Sequence, residues 1–194
     1  MCNLYTQTKS IDEIAQLFRD IGIQLTFPEG VPNLQPRDVA ITDSAPIVRM
    51  TEGGFQLVVR RWSWPGPGGK PVYNYRSDGR EFTSGRCLIL TDGFYEFTQP
   101  DDAAQKRKDR WLFTNPSEPM IGIAGLFRTA PDVGEAFTML TTEPGPDVAP
   151  YHSRQVAVVG DAAWKDWLDY GTSARDLLGP LPAGTLQVQP APRT

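Results

Sequence analysis

Glycine and proline punctuate this chain too closely for long regular elements. There are 18 of each, none precedes Gly22, and beyond it they interrupt the apolar runs within a few residues. Runs of that length suit short strands joined by turns and do not suit a helical bundle. The strand-like stretches are Val39–Thr42, Pro46–Met50, Gln56–Trp62, Arg86–Leu90, Phe94–Phe97, Trp111–Thr114, Ile121–Arg128, Ala136–Thr141 and Gln155–Val159. Loops rather than βαβ crossovers connect them. The expected architecture is therefore α+β: a single domain with a mostly antiparallel, curved, barrel-like sheet and peripheral helices near both ends.

The first helix announces itself. Ser10-Ile11-Asp12-Glu13 has the form of a capping box, and Ile11, Ile14, Leu17, Phe18 and Ile21 share one face before Gly22 ends the helix. A second helix is expected through Trp164, Trp167 and Leu168 with Asp161 as its cap, then a turn or two over Ser173–Leu178. Phe27–Pro36, Trp62–Gly69, residues 70–86, Asp101–Asp109 and Pro144–Pro150 read as irregular or solvated loops. Gly122 and Gly125 within one strand predict close backbone approach or a bulge. The domain is expected to span residues 1–180, with 181–194 as a frayed tail.

Composition narrows the function classes. Hydrophobic residues make up 40% and charged residues 22%, ordinary values for a globular protein. No long apolar run and no charged-then-apolar leader is present, so a cytoplasmic protein without membrane contact is expected. The formal net charge of −4 argues against coating nucleic acid by bulk electrostatics. Any such contact needs a local basic groove, for which Arg60, Arg61, Arg76, Arg80 and Arg154 are available. With two cysteines, Cys2 and Cys87, and a single His, neither a disulfide nor a metal site is expected.

Cys2 carries the chemistry. Removal of Met1 would leave a free α-amine and a thiol on adjacent carbons, titrating near ~8 and ~8.5. Such a pair can condense with an aldehyde to a Schiff base and close a thiazolidine. It can equally serve as an acyl-transfer nucleophile with its own amine as base. Three candidate helpers stand out: Asn74 in a polar segment, Glu96 flanked by aromatics, and His152, each near Arg76 or Arg154 or at a strand end. Alternation places Phe94 and Glu96 on one strand face and Tyr95 and Phe97 on the other. A carboxylate so flanked lies either on a solvent edge or in a pocket that raises its pKa, and the second case would make it a general acid. Local sequence favours Trp62 and Trp64 as core anchors over base-stacking platforms.

Several ordered motifs carry a resemblance. They are Met1-Cys2, Arg61-Trp62, Asn74-Tyr75-Arg76-Ser77-Asp78, and Arg86-Cys87-Leu88-Ile89 running into Asp92-Gly93-Phe94-Tyr95-Glu96-Phe97. Ala124-Gly125-Leu126, Thr141-Thr142, Tyr151-His152-Ser153-Arg154 and Trp164-x-x-Trp167-Leu168 follow. Together the chain resembles the SRAP family (SOS response-associated peptidase domain), which senses abasic sites in single-stranded DNA. The resemblance implies that Cys2, after Met1 removal, forms a thiazolidine crosslink with the ring-opened sugar aldehyde. It implies that Asn74 positions Cys2, Glu96 acts as acid and base, and His152 shuttles a proton at the sugar. Arg76 and Arg154 would clamp phosphates beside the lesion, with Arg61 nearby, and Trp62 would stack on a neighbouring base. No cofactor or metal is implied. The expected partner is single-stranded DNA containing abasic sites, met by a monomer that joins the nucleoid when bound. The peptidase label implies self-processing by the same Cys2.

This chain departs from the family pattern in places. Asn3-Leu4 follows Cys2 where Gly-Arg is common, so one phosphate contact is missing. Asp78 replaces Glu, Ser63-Trp64-Pro65 replaces a Gly-Leu-Ile-Pro run, and Phe97 stands for Trp. Two other functions compete: an N-terminal Cys amidohydrolase with a backbone oxyanion hole, and a non-covalent DNA-binding module in which Cys2 is incidental.

Overall fold

The computed structural model describes residues 2–102 and 104–192. In chain order it contains β1 (Leu4–Gln7), α1 (Ile11–Asp20), β2 (Arg37–Ala40), β3 (Ser44–Thr51) and β4 (Gly54–Trp62). Next come β5 (Trp64–Pro65), β6 (Pro71–Val72), β7 (Asn74–Arg76), β8 (Arg86–Thr91), β9 (Gly93–Thr98) and β10 (Asp109–Thr114). The last part holds β11 (Ile121–Ala130), β12 (Gly134–Thr142), β13 (Gln155–Val156), β14 (Val158–Val159), α2 (Trp164–Leu168), α3 (Ala174–Leu177) and β15 (Gln187–Pro190).

Two sheets hold most of these strands. One has the order β15-β10-β9-β1-β2, and the other runs β13-β12-β4-β3-β8-β11-β14, with β7 added beside β12. Pairing is antiparallel except that β12 runs parallel to both β4 and β7. Asp92 is the one residue between β8 and β9, so the chain passes from one sheet directly into the other.

Alternation sorts the side chains into two cores. Cys87 and Ile89 of β8, Val58 of β4 and Met139 of β12 face the space between the sheets, where they meet Tyr5, Phe94 and Phe113. Leu88, Leu90, Leu57 and Leu140, one step along the same strands, pack beneath α1 and α2. Both faces of β8 are thus covered, which is why its six residues are all buried and Cys87–Leu90 read as one continuous apolar run.

α1 begins as expected, with the Ser10 Oγ accepting from the Glu13 N–H and the Glu13 carboxylate accepting from the Ser10 N–H. Gly22 at φ 79° lets the Ile23 N–H reach back to the Phe18 carbonyl at 2.8 Å and closes the helix. Burying Ile14 and Phe18 stabilises this helix by roughly 2 kcal/mol each. Gly122 is also required: a Cβ there would lie 2.3 Å from the Trp164 indole nitrogen.

The structure corrects several expectations. Asp161 opens a short 3₁₀ turn without capping by its side chain, and α2 starts at Trp164. The stretch after Trp62 forms a small β5–β6 ladder. Asn74–Arg76, read as loop, is a strand, because β12 supplies a partner from far along the chain. The segment read as a frayed tail contributes β15, paired with Trp111–Thr114.

Candidate active site around Cys2

β1 lies between β2 and β9, with Tyr5 opposite both Val39 and Phe94. That placement draws the residues just ahead of β1 toward the end of β9. Phe94 and Glu96 share a face of β9, as alternation requires, and Phe94 enters the inner core. Cys2 and Glu96 are each 1% exposed.

The Glu96 carboxyl lies beside the backbone N–H of Cys2, which draws its pKa down. Burial is the larger effect and pushes that carboxyl up to about 7. Burial first, and the Glu96 charge second, raise the Cys2 pKa and keep it a thiol. The thiol donates to the Leu4 carbonyl at 3.3 Å. Asn74 Nδ2 donates to the Cys2 carbonyl at 2.8 Å, and its Oδ1 is buried without a partner among the described residues. One carboxyl and one amide therefore fix Cys2 from two different strands. The expected loss of Met1 concerns a residue outside those described.

His152 reaches the same region by packing. Glu96 is paired in register with Trp111, whose ring lies 4.9 Å from that of Tyr151, the neighbour of His152. The imidazole Nδ1 accepts from the Arg154 N–H at 2.9 Å and has the Arg154 carbonyl at 3.1 Å. The first partner suits the neutral ring and the second the cation, so this nitrogen has a partner in either state. Burial lowers the His152 pKa, so the ring is mostly neutral at physiological pH.

The arginines divide into two sets. Arg76 is exposed at the end of β7 without a carboxylate partner among the described residues. Arg154 donates to both Asp78 oxygens, at 3.0 and 2.5 Å, and to the Thr141 carbonyl at 2.8 Å. Arg154 has only part of its guanidinium left for a phosphate. Arg60 is taken up by Glu29 and Glu135, and Arg61 donates to the Thr42 carbonyl.

Trp62 is 0% exposed, donates its indole N–H to the Tyr73 carbonyl and stacks on Phe137. This is the core role that local sequence favours, and it removes Trp62 from any surface on which a base could stack. Two features escaped sequence reasoning. Tyr5 packs edge-on against Trp62 at 5.3 Å, and its buried hydroxyl has no partner among the described residues. Burial, then the Cys2 charge, raise its pKa, which marks it as a neighbour of the thiol. Thr141 and Asp78 hold Arg154, a link that no local pattern announces.

Both cysteines are free thiols. Among the described residues no group of three or more His, Cys, Asp and Glu side chains is placed to hold a metal ion. Among the described residues no helix is long and apolar enough to cross a membrane.

The family model for SOS response associated peptidase (SRAP) matches residues 1–194. The chain belongs to the SRAP family. Solved structures share its fold. A protein from Bordetella bronchiseptica superposes with a TM-score of 0.70 at 22% identity, over 99% of this chain and 100% of that one. One from Bacteroides thetaiotaomicron gives 0.74 at 17% identity, over 99% and 93% of the two chains. A phage-related protein from Bordetella bronchiseptica gives 0.72 at 16%, over 99% and 95%. At these identities the likeness to these solved structures is one of fold.

Proposed function

We propose that this protein captures abasic sites in single-stranded DNA by a covalent bond to Cys2. The observation that carries the reading is the burial of the Glu96 carboxyl beside the Cys2 backbone nitrogen. On loss of Met1 that nitrogen becomes the α-amine, already beside a carboxyl pushed up to about 7.

The chemistry balances with these groups. The abasic sugar opens to its aldehyde, with His152 moving a proton at the ring oxygen. The Cys2 amine adds to the carbonyl carbon, and the carbinolamine loses its hydroxyl as water after Glu96 protonates it. The thiol then adds across the C=N bond and passes its proton on through Glu96, closing the thiazolidine. One water leaves, and no oxidant or metal is consumed. Asn74 holds the Cys2 carbonyl so that amine and thiol face the same carbon. Arg76 meets a flanking phosphate, and Arg154 does so while shared with Asp78. Removal of Met1 by the same Cys2 is the self-processing step the peptidase name suggests.

The test is a single-stranded oligonucleotide with one abasic site, incubated with wild type, Cys2→Ala and Glu96→Gln protein. A heat-stable adduct is expected for wild type on a chain whose N-terminal mass lacks Met1. Cys2→Ala should give none, and Glu96→Gln should slow it by about 10²-fold or more. Wild-type protein with a mature Cys2 terminus and no adduct would end this reading in favour of amide substrates.

A further inference from the structure

The parallel register of β7 on β12 sets Asn74 beside Met139 and Tyr75 beside Leu140. Met139 belongs to the inner core with Cys2, and Leu140 to the outer core under the helices. One step along β7 therefore crosses the sheet. Asn74 serves the Cys2 side, and Tyr75 faces the other.

On that other side lies a cavity of about 470 Å³ walled by Trp64, Tyr75, Phe82, Leu126 and Phe127. Two exposed arginines rim it. The Arg128 guanidinium lies over the Trp64 ring at 4.3 Å, and that of Arg80 over the Tyr75 ring at 5.1 Å. Arg80 also donates to the Tyr75 hydroxyl at 3.0 Å. Neither has a carboxylate partner among the described residues. Glu81, the one acid at the rim, is already occupied by Ser173, Ala174 and Arg175. The site thus offers aromatic rings, two of them lying under guanidinium groups that have no carboxylate partner among the described residues, in a chain whose net charge is −4.

We infer that this cavity receives a nucleobase of the same DNA strand whose lesion lies at Cys2, with Arg80 and Arg128 on its flanking phosphates. A planar heterocycle fits between aromatic walls, and stacking does not demand a particular base. Guanidinium groups that already lie on rings can turn their edges to phosphate oxygens. β7 connects the two sites. Among the described strands only β12 pairs with β7, and the exposed Arg76 follows Asn74 and Tyr75 along the chain before Arg80. A strand crossing β7 places a sugar on one face and a neighbouring base on the other. The inference rests on the reading of Cys2 as a DNA-capturing residue.

The experiment separates the two. Single-stranded oligonucleotides carry one abasic site and a 5-iododeoxyuridine at successive positions on either side of it. At one position, irradiation should link the iodinated base to Tyr75, Phe82 or Trp64, identified by peptide mass. Arg128→Glu and Arg80→Glu, both at exposed positions, should each lower affinity for an undamaged oligonucleotide about tenfold. Adduct formation with 2-deoxyribose 5-phosphate, which has no neighbouring base, should be unchanged in both variants. Photolinks outside the cavity together with unaltered affinity would overturn the inference while leaving the Cys2 chemistry standing. Intact cavity photolinks with no adduct at Cys2 would uphold the base site and overturn the capture reaction instead. Thymidine monophosphate binding as tightly as the oligonucleotide would make the occupant a free nucleotide and overturn the strand proposal.

Discussion

Glu96 has two linked properties, a buried carboxyl and a contact with the Cys2 nitrogen. Its folded pKa is raised by burial from 4.5 to about 7, so the native state holds a proton that the unfolded chain releases first. The associated stability is fully present below pH about 4.5 and is lost as pH rises through about 7. Glu96→Gln removes that dependence. Urea denaturation at pH 5 and pH 8 should show the wild type losing about 2–3 kcal/mol relative to the variant. The variant would then be the more stable protein at pH 8 and the slower one at crosslinking. Such opposition is expected of a group kept for chemistry and not for packing. Phe94, Tyr95 and Phe97 left Glu96 either on a solvent edge or in a pocket, and the pairing of β9 with β1 and β10 decides for the buried position. The Tyr5 hydroxyl was not legible in advance, since nothing near residue 5 shows which strand will face it.

At the scale of elements, Arg86 decides how the helical layer meets the sheet. It is buried at the start of β8 and donates to the carbonyls of Phe82, Trp167 and Thr172. Its guanidinium also lies between the rings of Trp167 and Tyr170, at 4.6 and 4.8 Å. One side chain thereby fixes the end of α2 and the 82–85 turn that walls the aromatic cavity. Arg86→Ala should leave those carbonyls unsatisfied and cost about 3 kcal/mol, read as a lower urea midpoint with an unchanged m-value. Elements defined by local signals were the readable ones. Ser10 and Glu13 marked α1, and the apolar run Cys87–Leu90 marked β8. β7 and β15 depend on distant partners: three residues around Asn74 and four ending at Pro190 carry too little pattern to be strands until β12 and β10 lie beside them.

Over the whole molecule, acids pair about half of the described arginines and leave the others without a carboxylate. Arg37, Arg49, Arg60, Arg86, Arg110, Arg154 and Arg175 each have a carboxylate partner. Arg76, Arg80 and Arg128 are among those that do not, among the described residues, and Arg80 and Arg128 rim the aromatic cavity while Arg76 ends the neighbouring β7. An acidic protein can thus present a local cationic track. Three phosphate contacts predict a modest salt dependence for single-stranded DNA, with a slope of log K against log salt of about −2. A titration from low to moderate salt measures it, and a slope near zero would exclude this track as the binding surface. The curved antiparallel body was readable from Gly and Pro spacing, whereas the sorting of arginines into paired and unpaired sets emerges only once strands far apart in sequence are neighbours.

The position of Cys2 relative to β1 has a mechanical consequence. Cys2 stands just ahead of a strand clasped on both sides, by β2 and by β9. Tension applied at Cys2 runs along the axis of β1, and the ladder bonds lie across it. Such a load shears both ladders together instead of peeling them one bond at a time. Anything fastened to this cysteine is therefore anchored in the body of the sheet, and a motor tracking along attached DNA would pull against the fold itself.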